Sequence, residues 1–332
     1  MKQGTTLFQI SKILKISPST VSRALKNHPD IAPDTRKKIL ELAERLDYEP
    51  NLYAVGLRTN NSKEFGVILP NLSGFFYDSF ISALEEDARR MGYAVIILLS
   101  GDDPGIELEN LKICKQRRVD GLFVCITPQT TDVSSFLKFQ ASETPVIFFD
   151  KVPMEEQINT VCVADEEAAI LSANALLDAG KKKILSLFGN LNLSISRRRM
   201  DAYREAFRRK KEEKAISIQH AFDSEEARKI IHMAFTAEKE RPDAIFCMSD
   251  EILIGTMKAL QEIHLKVPND VGVLAISNGF FPKLYHPEIT YVETSGQKLG
   301  KMALSRMMEY LGGDKSFADR RVESVLVEGG SL

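Results

Sequence analysis

The chain has 332 residues, 44% of them hydrophobic and 27% charged, with a net charge of −2. That length suits two or three domains, and the composition excludes a disordered, collagen-like or rod-like bulk. The longest aliphatic run, Ala94 to Leu99, is far short of the roughly 20 residues of a membrane-spanning helix; with no apolar leader at the start, a cytoplasmic protein is expected.

The small net charge hides an asymmetry. Residues 1–60 hold ten Lys or Arg against six acids, a balance of +4, and the remainder carries −6. A basic head on an acidic body points to nucleic acid as a partner, although an ordinary solvated face can carry as much. Cys114, Cys125, Cys162 and Cys247 show no C-x-x-C spacing, and three of them sit in apolar strand-like runs. They read as reduced, buried thiols. The five histidines are scattered, so neither a metal nor a cofactor is expected.

In the head, Thr6 can cap a helix whose apolar positions are Leu7, Ile10, Ile13 and Leu14. Ser17-Pro18 then reads as a cap followed by proline at the first helical position. This opens a second helix to about Lys26, with Val21, Ala24 and Leu25 inward. Two short helices joined by a three-residue turn have the spacing of a helix-turn-helix. A third helix runs from about Pro33 to Leu46, with Ala32 as a poor cap. The polar face of the second helix carries Ser17, Ser19, Thr20, Ser22 and Arg23. Short hydroxyls suit phosphates, and an arginine can grip the O6 and N7 of guanine. A three-helix bundle with a polar surface is the plainer alternative.

The stretches SPSTVSRAL (17–25), PDTRKKILELAERLDYEPN (33–51) and AVGLRT (54–59) together resemble the head of lactose-repressor (LacI-type) transcription regulators. The resemblance runs over essentially the whole chain. It implies a helix-turn-helix DNA-binding domain over 1–50, a hinge helix and linker over 51–62, and an effector-binding and dimerisation domain over 63–332. Pro18 and Ser19 match the positions that choose the half-site, and Arg23 matches the base-reading arginine. Thr6, Ser17, Thr20, Ser22 and Thr35 match phosphate contacts, as can Lys26, where many members have Asn. Asn51, Ala54 and Leu57 match the hinge residues, with Leu57 as the minor-groove wedge and Ala54 at the close helix contact. A hinge this short is marginal as a helix in water, and Gly56 weakens it further.

From Glu64 the pattern alternates strand and helix. Apolar strand-like runs fall at 64–70, 94–100, 121–126, 145–150 and 160–165, and then at 182–189, 215–222, 244–249 and 271–277. Strands apolar on both faces suit parallel sheets covered by helices. The expected fold is thus a small all-α head plus an α/β body of two doubly wound parallel-sheet subdomains. The resemblance implies the periplasmic-binding-protein type of body, with crossings near 161–163, 289–293 and 320–323. The N-subdomain is then about 63–161 and 293–320, and the C-subdomain about 162–290 and 321–332.

Ligands in such sheets sit beyond the strand carboxyl ends. Phe76 and Tyr77 follow the first strand and can stack on a ring; equally, one of them can pack in the core. Asp150 matches a family strand-end acid, and Arg197 the family's ligand-binding arginine, whereas Arg198 and Arg199 read as surface charge. Asp250 matches another ligand acid or simply caps its helix. Ser277 and Asn278 stand where the family carries a ligand-binding carboxylate. Loss of that carboxylate with retention of Arg197 favours an acidic sugar.

No catalytic motif or phosphate loop is present, so the chain does not read as an enzyme. The resemblance implies a homodimer on a near-palindromic double-stranded DNA operator, controlled by a sugar or sugar acid. The rival reading is a cytoplasmic sugar-binding protein whose head docks another protein.

Overall fold

The computed structural model describes residues 6–48, 61–72, 74–155, 157–236 and 241–332. Asn51, Ala54 and Leu57 lie outside the described residues. The chain divides into two compact units, Met1–Ser62 and Lys63–Leu332.

Among its described residues the first unit holds three helices: α1 (Leu7–Leu14), α2 (Pro18–Leu25) and α3 (Pro33–Arg45). Local chemistry starts each of them. The Thr6 hydroxyl accepts from the Gln9 amide, and the Gln9 side chain accepts from the Thr6 amide, which makes a reciprocal cap. The Ser17 hydroxyl accepts from the Thr20 amide at 3.1 Å. α3 starts at proline with no side-chain cap. Ile10, Val21, Ala24, Ile31, Ile39 and Ala43 form the core. Ile13 departs from the expected pattern and is 57% exposed, because two turns present only Leu7, Ile10 and Leu14 on one narrow face.

The second unit has two lobes. Its first sheet orders β11 (Asp319–Val322), β5 (Asn159–Val163), β4 (Val146–Phe149), β3 (Gly121–Val124), β1 (Glu64–Leu69) and β2 (Ala94–Leu99), all parallel. The second orders β12 (Val325–Val327), β10 (Thr290–Glu293), β9 (Gly272–Ser277), β8 (Ala244–Cys247), β6 (Ile184–Phe188) and β7 (Ile216–His220). Here β12 runs antiparallel to β10, so this sheet is mixed rather than wholly parallel. The inner strands are buried on both faces, whereas β2, at an edge, leaves Ile97 and Leu99 39% and 46% exposed.

Helices α4 (Phe75–Arg90), α5 (Pro104–Arg117) and α6 (Ser134–Ala141) belong to the first lobe. In the second lobe lie α7 (Asp165–Asp178), α8 (Ser194–Arg209), α9 (Ser224–Thr236) and α10 (Asp250–Glu262). α11 (Gly296–Leu311) returns to the first lobe and packs on α4. A Cβ at Gly296 or Gly300 would strike the carbonyl oxygen of Phe76 or Phe80, so glycine sets this close approach. The chain crosses between sheets after Val163, at 294–295 and at 323–324. Glu166, past the first crossing, pairs with Arg198 at 3.9 Å and Arg321 at 3.2 Å. Arg321 in turn holds Asp319 at 2.8 Å, tying the first crossing to the third.

Candidate functional sites in the head and the cleft

In the head, three hydroxyls meet at the N-terminus of α2. The Ser17 oxygen lies 2.7 Å from that of Ser19 and 2.8 Å from that of Thr20. The first turn of a helix has unpaired amides and a positive dipole end, which suits a phosphate. Ser17, Pro18, Ser19, Arg23 and Lys26 are exposed, and Thr20, Ser22 and Thr35 are half-buried. Thr6 is also exposed, with its hydroxyl engaged in the α1 cap. The Arg23 guanidinium stands 3.8 Å from the Asp30 carboxylate, which also meets His28 at 3.3 Å. Pairs this exposed hold weakly, so Arg23 is available to a stronger acceptor.

In the body, segments that follow the strand carboxyl ends of the two lobes meet, Phe75 with Phe280 and Val152 with Ser194. After β1, Tyr77 is buried and donates to Asp150 at 2.8 Å, beside the Cys125 thiol. Burial, and then the Asp150 charge, push the Tyr77 hydroxyl well above its usual range, and burial raises Cys125 to about 12. Tyr77 therefore braces the floor rather than offering a free ring face, and Phe76 packs against the same core. The outward ring is that of Phe75, one residue before the expected pair Phe76 and Tyr77. It stacks on Phe280 of the second lobe, with centroids 3.7 Å apart and planes 22° apart.

In the second lobe, Arg197 is solvent-exposed. The arginine at the floor is Arg199, 6% exposed, which donates to Asp165 at 2.9 Å and to the Met248 carbonyl at 2.8 Å. Asp165, at the first crossing, is fully buried, and its second oxygen has no hydrogen-bond partner. Burial lifts its carboxyl to about 6 against the pull of Arg199. Asp250, at the start of α10, accepts from the Ser277 hydroxyl and from the Asn278 amide. Burial raises it as well, against those two bonds. The cap of α10 is Ser249, so Asp250 is left to organise the loop after β9. A bond joins the lobes at the rim, where the Val152 amide donates to the Ser194 hydroxyl at 3.3 Å. Among the described residues no cluster of His, Cys, Asp and Glu could hold a metal ion, and no helix is long and apolar enough to cross a membrane.

Comparison with known proteins matches both parts. Residues 6–51 match the model of bacterial regulatory proteins of the lacI family. Residues 62–325 match that of periplasmic binding proteins and the sugar-binding domain of the LacI family. The chain is 28% identical over 315 residues to catabolite control protein A of Priestia megaterium, with 93% of each chain covered. It is 28% identical over 312 residues to the HTH-type transcriptional repressor PurR of Haemophilus influenzae, covering 92% of this chain and 90% of that one. The lac repressor dimer bound to operator and the anti-inducer ONPF superposes with a TM-score of 0.88 at 20% identity, over 99% of both chains. That last likeness is one of fold.

Proposed function

The chain belongs to the LacI family of bacterial regulatory proteins, and from that premise we propose that it is a dimeric transcriptional repressor. In this reading two heads grip a near-palindromic operator, and a small neutral ring bearing hydroxyls, bound between the lobes, adjusts that grip. The observation that carries the first part is the exposed row of Ser17, Ser19 and Arg23 on a capped second helix. A phosphate anchor there sits one turn from a base-reading cation.

The charge of the cleft floor supports a neutral ligand. An acidic sugar was expected from Arg197 and from the missing carboxylate at Ser277. Arg197 is exposed, Arg199 is taken up by Asp165 and Met248, and Asp250 brings a carboxylate to Ser277. Asp150 and Asp250 make the floor a poor host for an anion and a good acceptor of hydroxyl donors, while the buried Asp165 is balanced by Arg199. The test is calorimetry with neutral pyranoses and uronates side by side. Heat from a neutral sugar is expected; binding of uronates alone would sink this part. Selection of bound fragments from a sheared genomic library tests the regulator itself. Enrichment of a palindrome is expected, and none with or without pooled sugars would overturn it.

Dimerisation has a surface to use. Edge strand β2 exposes Ile97 and Leu99, and neighbouring α5 exposes Ile106, Leu108 and Ile113. An unpaired apolar edge of this kind is a template for association, and a second copy offers the same patch by two-fold symmetry. Leu99→Asp is expected to shift the protein from dimer to monomer in sedimentation equilibrium. Its operator affinity should fall at least tenfold, since each head then binds alone. A variant that stays dimeric would place the interface elsewhere.

A further inference from the structure

The cleft rim holds an aromatic contact that neither the head nor the polar floor requires. Phe75 opens α4 in the first lobe, and Phe280 follows β9 in the second. Their rings stack at 3.7 Å, and Phe281 meets both edge-on with centroids 5.5 Å away. Phe75 and Phe280 nonetheless remain 40% and 42% exposed, so the stack lies at the mouth and not in either core.

Each ring is aimed by a glycine just before it. Gly74 has φ +91° and Gly279 φ +88°, values that disfavour any side chain. A Cβ at Gly279 would also come within 2.7 Å of the Tyr291 hydroxyl. The Phe280 loop is wired to the floor. The Gly279 amide donates to the Ser277 hydroxyl at 3.0 Å, and the Phe280 amide to the Asn278 side chain at 3.1 Å. Ser277 and the Asn278 amide both donate to Asp250. A ligand donor that takes an Asp250 oxygen competes with those bonds and so disturbs the loop that carries Phe280.

We propose that the Phe75–Phe280 stack is an interlobe latch that passes occupancy of the Asp250–Ser277 floor to the angle between the lobes, and so to operator affinity. The proposal rests on the reading of the cleft as the effector site. A two-state lobe equilibrium shifts by the difference in stabilisation between its states. An aromatic pair that forms in only one of the two states would bias it about two- to tenfold.

The test is a double-mutant cycle on the full chain without added ligand. Operator affinity is measured for the wild type, Phe75→Ala, Phe280→Ala and the double variant. Each single change is expected to move the affinity about two- to tenfold in the same direction, and the double variant no further than either. Singles without effect, or a double variant at their product, would overturn the latch. A second readout needs no DNA. The chain contains no tryptophan, so Phe280→Trp is a sole reporter, and adding Phe75→Ala is expected to red-shift its emission and open it to acrylamide. Unchanged emission would overturn the latch. Should the wild type fail to bind any operator, the regulator reading falls, and the fluorescence pair still decides whether the stack exists.

Discussion

Arg23→Ala is expected to cost about 1–3 kcal/mol of operator binding per half-site, and a homodimer loses the contact twice. The guanidinium is exposed, and its partner among the described side chains is Asp30 at 3.8 Å. Truncation therefore leaves the small core of Ile10, Val21 and Ile39 intact, and the loss falls on recognition rather than on folding. What distinguishes base reading from phosphate anchoring is salt. Affinity for any DNA falls with salt in proportion to the phosphates neutralised, with a slope near −0.9 per contact. If Arg23 reads a base, its removal lowers the ratio of operator to random-DNA affinity and leaves the slope nearly unchanged. Lys26→Ala should do the reverse, weakening both DNAs alike and flattening the slope by about one. Titration of a selected operator and of a scrambled duplex at several salt concentrations measures both. Equal loss on the two duplexes in Arg23→Ala would make it a phosphate contact.

The head was legible because its determinants are local. Thr6 before the first apolar repeat, Ser17 before proline, and apolar spacing within one helix need no knowledge of distant chain. The two lobes were legible for a related reason: continuous apolar runs between helices suit parallel strands buried on both faces. The cleft was harder, since its parts meet only in the folded chain. Three arginines stand in a row at 197–199, and adjacent helical positions differ by about 100°. Only Arg199 shares the inward face with Met200, Tyr203 and Phe207; its four-residue spacing from Tyr203 was the available signal. A carboxylate at Ser277 looked lost, yet Asp250 supplies one from the next strand end. The Phe75–Phe280 stack joins residues of different lobes, and only the paired Gly-Phe steps hinted at it.

Arg199→Ala is expected to be the most damaging single change in the cleft. It strips the counter-ion from Asp165, which is fully buried and already has one oxygen without a hydrogen bond, and it removes the donor to the Met248 carbonyl. Breaking a buried pair from one side costs about 3–5 kcal/mol, a large part of the 5–15 kcal/mol that holds a typical domain folded. The pH dependence identifies the cause. Asp165 has a folded-state value near 6 against an ordinary 3.8, so between those values the folded chain keeps a proton that the unfolded chain has released. Stability from this site is therefore full at acid pH and is lost as pH rises through about 6. Without Arg199, the opposing attraction disappears and the carboxyl rises further. The deficit of the variant should then be greatest near pH 7.5 and shrink toward pH 5, as read by urea unfolding across that range. Asp165→Asn in the Arg199→Ala background should recover part of the loss at neutral pH, because an amide carries no charge to bury. A deficit independent of pH, or no recovery, would mean that Arg199 acts through its packing alone.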